Sequence, residues 1–271
     1  MPSSETPMPR YGSRVARLCG ALAAVALLAA GPANAEALSE GAKNYKPFAV
    51  EHVGNALAGA KELQAAVKAG DVEKAQAAWI RSRKGWEAVE PITGELFGEL
   101  DSAIDAWPDA KHGYHAVEAP LFAGKLQDIA QPVDGLVANL AKFKQTLSAD
   151  TFAFTPQGLL NGATKLAYEV GENKSKGGES PYAGTSLIDM HENIEGIEAV
   201  YKLVFEQPLN AKDAKLAEQI DDKIESVEEL VKVKELKQLN APALSKAGEE
   251  LAVLLQSAAP KLGLKAPDLG G

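Results

Sequence analysis

Apolar residues recur at steps of three and four along most of this chain, and that spacing constrains the fold more than any other feature. Ile129, Val133, Leu136, Val137, Leu140, Phe143 and Leu147 form one such stripe. Leu187, Met190, Ile194, Ile197, Tyr201 and Val204 form a second, and Leu216, Ile220, Ile224, Val227, Leu230 and Val231 a third. Ala56, Leu57, Ala60, Leu63 and Val67 mark an early helix, and Leu251, Leu254, Leu255, Ala258 and Leu262 a last one. Such stripes are the buried faces of amphipathic helices. No alternating β-branched run reads as a strand. The spacing therefore predicts an all-α chain of up-and-down bundles, two of them packed together.

Local signals place some of the boundaries. Gly70-Asp71 interrupts the first helix, and Asp71 can cap a second running to about Glu90, where Pro91 disfavours continuation. Thr155-Pro156 reads as a cap followed by proline at the first helical position. Two segments resist the pattern. Residues 91–125 are rich in Pro, Gly and acids, and residues 171–185 read as a flexible polar loop. Long irregular segments inside a helical domain tend to carry function.

The N-terminus reads as an address. Arg10, Arg14 and Arg17 precede an apolar stretch, Leu18 to Ala30, that is short for a membrane span. Ala33-Asn34-Ala35 then matches a signal-peptidase site, so residues 1–35 are expected to be a cleavable signal peptide and 36–271 the mature periplasmic domain. Removing three Arg and Glu5 moves the formal net charge from −9 to −11. A surplus of acid on this scale argues against a nucleic-acid partner. The single cysteine, Cys19, lies in the segment expected to be removed. That excludes a disulfide framework and a thiolate metal site, and it favours hard carboxylate ligands.

Three clusters could carry chemistry. Glu87 and Glu90, three apart beside a helix end, project from one face. Both are expected at a helix C-terminus, where the dipole disfavours anions, an arrangement that makes sense around a cation; the alternative, which the pair taken alone favours, is a solvated acidic helix end with Arg83 paired to Glu87. Asp101 and Asp105 follow closely. His115 and Glu118, three apart, can reach one metal, as in carboxylate-bridged bundles. This HxxE pair lacks the second histidine and the adjacent acid of a zinc-hydrolase motif. His52 and His191 stand isolated on helices and read as structural. Trp79, Trp86 and Trp107 are either core or sugar-stacking residues; the seven-residue step from Trp79 to Trp86 favours core.

In order and spacing, W-x-A-V-E-P, L-F-G-E-L-D-S-A-I-D, G-Y-H-A-V-E-A-P-L-F, the G-G-E-S-P-Y loop and N-I-E-G resemble the imelysin-like, or M75 peptidase-like, family. That family includes EfeO-type periplasmic iron-uptake proteins, and the resemblance covers nearly the whole mature chain. It implies a pair of four-helix bundles and a metal site on Glu87, Glu90, Asp105 and Glu179, with His115 and Glu118 as the HxxE pair. An all-oxygen set suits iron or calcium, and adding His115 admits zinc or copper. The chain departs from the family pattern at Gly178-Glu179, where two acids are usual. It also has Gly184 and Ser186 where a histidine and an aspartate often stand. It resembles the form without a cupredoxin domain, a group that includes an alginate-binding protein.

Three functions follow as expectations. The first is capture of a metal ion, iron foremost, with delivery to an inner-membrane iron permease. The second is binding of alginate or another acidic polysaccharide through Arg81, Arg83, Lys84, Lys174 and Lys176, or through metal ions bridging carboxylates on both partners. The negative net charge opposes this at long range. The third is an HxxE metallopeptidase using His115 and Glu118, which offers too few ligands at hydrolase spacing. No catalytic residue is assigned.

Overall fold

The computed structural model of the chain describes residues 31–106, 111–176 and 178–269. The basic and apolar parts of the predicted signal peptide lie outside those residues, as does Trp107. Helix α1 (Pro32–Ala69) already includes the predicted cleavage tripeptide, and the side-chain amide of Asn34 donates to the carbonyl of Leu262 at 2.9 Å.

The described chain is all-α. After α1 come α2 (Val72–Glu87), α3 (Glu90–Asp105), α4 (Gly113–Phe122), α5 (Ala130–Ser148), α6 (Pro156–Glu172) and α7 (Ser186–Val200). A π-helical turn, Tyr201–Phe205, leads into α8 (Glu206–Asn210), then α9 (Ala214–Val231) and α10 (Ala241–Leu262). Helix α1 packs along α2 and α5, with α3 and α4 closing the same group. Helices α6, α7, α9 and α10 form the other group, and α3 packs on α6 to join the two. The predicted caps hold: Asp71 accepts from the Lys74 N–H at 3.1 Å and Thr155 from that of Gly158 at 3.1 Å. Trp79 and Trp86 are fully buried core residues.

Two expectations are corrected. The second helix does not run to Glu90. It ends at Glu87, Ala88 and Val89 form a turn, and α3 begins at Glu90. Pro91 occupies the first turn of α3, where its missing N–H leaves no hydrogen bond unmade. Glu90 therefore stands at a helix N-terminus, where the dipole favours an anion, while Glu87 keeps the unfavourable C-terminal position. The described residues of 91–125 are mostly helical rather than irregular. Among the described residues, Pro91, Gly113 and Gly124 sit at helix ends and Gly98 beside a break, while Gly94 and Pro120 lie inside helices; α3 kinks at Phe97 (φ −138°, ψ 31°), whose ring packs edge-on to Phe143.

The turn between α2 and α3 is gripped by two helices at glycines. A β-carbon on Gly162 of α6 would lie 1.6 Å from the carbonyl oxygen of Pro91, and one on Gly196 of α7 2.4 Å from that of Ala88. Backbones this close leave no room for a side chain, so the turn that carries Glu87 and Glu90 is locked between α6 and α7. The clash is with backbone and cannot be relieved by rotating a side chain. Gly162→Ala is therefore expected to destabilise the fold by at least about 2 kcal/mol, measured by urea denaturation; an unchanged midpoint would contradict this packing.

Candidate cation site

The expected site residues do converge, in the seam between the two helix groups, but around two buried cations. Arg83, on α2 and 1% exposed, reaches four acids. Its Nη2 lies 2.6 Å from Glu87 Oε1 and 3.3 Å from Glu179 Oε2, its Nη1 contacts Asp105 Oδ1, and its Nε is 3.9 Å from Asp189 Oδ1. Its guanidinium also lies over the Tyr114 ring. Lys174, in the 3₁₀ turn after α6, places its Nζ 2.7 Å from Glu90 Oε2, 3.4 Å from Glu179 Oε2 and 3.5 Å from Glu87 Oε2.

Neutral donors complete the arrangement. The Asn193 amide on α7 donates to Glu87 Oε2 at 2.8 Å and Glu90 Oε2 at 2.6 Å. Trp86 Nε1 donates to Asp105 Oδ2 at 2.7 Å. Gly113, with φ +73°, lets the start of α4 close on the Ile104 carbonyl, which brings His115 to the end of α3. His115 Nε2 lies 3.1 Å from Asp105 Oδ1 and its Nδ1 3.9 Å from Glu118 Oε2. Glu118 Oε1 accepts the N–H groups of both Tyr182 and Ala183 at 2.9 Å, so this acid anchors the 171–185 loop. The hydroxyl of Ser180 in that loop hydrogen-bonds Asp189.

Six carboxylates thus face two permanent cations and one histidine, and their protonation divides accordingly. Burial pushes the Glu87 carboxyl well up, against Arg83 and Lys174, and burial pushes Asp189 up to about 6. Burial also works against charge on Asp105 and Glu90, but Arg83 and His115 hold Asp105 well below the usual carboxylate range, and Lys174 holds Glu90 low. Burial opposes the His115 cation, yet hydrogen bonds with Asp105 and Glu118 raise its pKa. The donor set, carboxylate oxygens with one imidazole, suits a hard or borderline cation. Asn193 Oδ1, also buried here, makes no hydrogen bond.

Among the described residues, the three-membered group whose donor atoms all lie within 4.8 Å of one another is elsewhere: His191, Glu192 and Glu195 on α7. His191 is therefore not isolated. That group borders a cleft of about 400 Å³ lined by His52, Asn55, Glu62, Arg81, Lys84 and Glu192. Of the five basic side chains expected to contact a polymer, Arg83 and Lys174 are buried among acids and present no surface to one. Arg81 pairs with Glu62 and Lys84 with Glu192 on the cleft, and Lys176 is exposed.

Asp189 and Asn193 were missed by sequence reasoning. Four residues apart on the Met190–Ile194–Ile197 side of α7, they are polar groups on a buried face, which was the available signal.

The imelysin (M75 peptidase) profile matches residues 41–259. The chain is 34% identical over 209 residues to an Efem/EfeO family lipoprotein of Staphylococcus haemolyticus, covering 73% of this chain and 71% of that one. It is 33% identical over 205 residues to an Efem/EfeO family lipoprotein of Staphylococcus aureus, covering 72% and 71%.

Removing Arg83 leaves buried acids uncompensated. Arg83→Met is expected to cost about 3–5 kcal/mol at pH 7. The Asp105 pKa is depressed, so its stabilisation is present above the ordinary carboxylate range and is lost as pH falls toward the depressed value. The gap between wild type and variant should therefore persist from pH 7 down to about 4 and narrow as pH falls below that toward 2. Urea denaturation across that range checks it, and a gap independent of pH would count against the pairing.

Proposed function

The chain belongs to the imelysin family, and from that premise we propose that it captures a metal ion, iron foremost, on the buried carboxylate–histidine cluster and hands it to an inner-membrane iron permease. The observation that carries this reading is the excess of acid in the seam, where Glu87, Glu90, Asp105, Glu118, Glu179 and Asp189 outnumber Arg83, Lys174 and His115. Structural ion pairs need charge balance, whereas a binding site for a multivalent cation needs a surplus of anion. Glu87, Glu90, Asp105, Glu179 and His115 are the direct ligands. Glu118, Asn193 and Trp86 orient them, the supporting role that outer partners take around metal ligands.

An address outside the cytoplasm fits this role. The N-terminal segment reads as a signal peptide, two similar proteins carry the name lipoprotein, and no helix among the described residues is long and apolar enough to cross a membrane. Iron, copper, zinc and calcium all remain within the chemistry of the donor set. Binding of alginate or a similar acidic polymer is the less favoured reading, because burial of Arg83 and Lys174 leaves Arg81, Lys84 and Lys176 to serve it, two of them already paired with acids.

Isothermal titration of the mature protein with ferric iron (as a weak chelate), zinc and copper is expected to give a saturable site. Glu90→Ala should weaken it by at least about tenfold. Absence of binding for every ion, or equal affinity in the variant, would remove this function.

A further inference from the structure

We propose that Lys174 is the resident cation of this site, and that capture is an exchange in which the cargo ion displaces the Lys174 ammonium from Glu87, Glu90 and Glu179. The inference rests on the cluster being a cation site and adds how that site is loaded.

The Lys174 Nζ is a point charge surrounded by oxygens from three separate segments: Glu87 at the end of α2, Glu90 at the start of α3, and Glu179 in the loop before α7. A metal ion would meet the same three oxygens. The ammonium holds them at 2.7–3.5 Å, whereas a metal ion draws carboxylate oxygens to about 2.0–2.6 Å. Ion and ammonium therefore cannot share the position.

Arg83 and Lys174 differ in their freedom to leave. Arg83 springs from α2, lies over the Tyr114 ring and is tied to acids on several segments. Its rigid fork makes it a fixed part of the wall. Lys174 is a compact, strongly hydrated charge on a flexible four-carbon stem, which water readily stabilises once released. Its backbone is held without help from the ammonium. The Ser175 hydroxyl donates to the Gly171 carbonyl at 2.6 Å, and the Lys176 N–H to the Asn173 carbonyl at 3.2 Å. The side chain can swing out while the turn stays in place.

Two of the acids that hold the ammonium reach solvent. Glu90 is 18% exposed and Glu179 22%, so the buried ammonium is separated from solvent on that side by partly exposed carboxylates. Glu90 also lines a crevice of about 110 Å³ with Asp101, Glu169 and Lys165. Displacing a monovalent ammonium selects for charge: a divalent or trivalent ion gains more from the same carboxylates than the ammonium does, and a monovalent ion gains nothing.

The test uses the mature protein and zinc chloride as a redox-inert probe. Lys174→Met should bind zinc at least about tenfold more tightly than wild type, since no internal cation competes. Because the variant carries unpaired acids, its thermal melt is recorded with and without zinc; zinc should raise its midpoint more than that of wild type. In wild type, zinc should also expose the Lys174 amine to an acylating reagent, read by mass spectrometry. If wild type binds zinc while Lys174→Met binds it equally or more weakly and Lys174 labelling is unchanged, Lys174 is a strut and the exchange is overturned, though the cation site stands. If neither protein binds zinc, iron or copper, both readings fall together.

Discussion

Two permanent cations sit inside this protein, and the helices around them are arranged so that neither is left alone. Burying an unpaired charge is among the largest penalties a fold can incur. Arg83 and Lys174 avoid it by drawing carboxylates from α2, α3, α7 and the loop that precedes α7. This requirement ties the two helix groups to each other across their seam. The glycine contacts at Pro91 and Ala88 are its steric counterpart, because only a bare backbone lets α6 and α7 approach the turn that carries Glu87 and Glu90. Trp86 and Asn193 then use their polar hydrogens to aim Asp105 and the two glutamates.

Much of this was legible in the sequence. The three- and four-residue stripes placed α5, α7, α9 and α10, and the Asp71 and Thr155 caps marked true helix starts. The acids that gather in the seam stood in recognisable blocks. The helix break after Glu87 was not legible to within three residues, because a proline disfavours the residue before it and is also at home in a first turn. That ambiguity reversed the helix-dipole setting of Glu90. The Pro- and Gly-rich stretch 91–125 read as irregular because composition alone does not separate breakers inside a loop from those at helix ends or, like Gly94 and Pro120, tolerated within a helix. Of the charge pairings in the seam, only Arg83 with Glu87, four apart on one helix, was open to the sequence. Arg83 and Lys174 read as surface groups for a polyanion, and only the three-dimensional arrangement turns them inward.

The inward turn of these two residues changes what the negative net charge means. The seam is not a bare acidic pit awaiting an ion but a partly neutralised one, with Arg83 built into its wall and Lys174 held by its ammonium beside the partly exposed Glu90. Burial pushes the Glu87 and Asp189 carboxyls up, which favours their neutral forms. A protein built this way can keep its fold without cargo and still present a carboxylate set when a more highly charged ion arrives. The His191–Glu192–Glu195 group is of another kind: His191 lies on the surface, Lys84 already sits 3.2 Å from Glu192, and its acids are only partly buried.

The central claim is that the seam, and not the α7 surface, holds the ion. A crystal structure of the mature protein soaked with zinc or iron, with the ion located by its anomalous scattering, tests this most directly. The account predicts a peak bounded by Glu87, Glu90, Asp105, Glu179 and His115, with the Lys174 ammonium withdrawn from its three carboxylates. A peak on His191, Glu192 and Glu195 with Lys174 still in its ion pairs would contradict it.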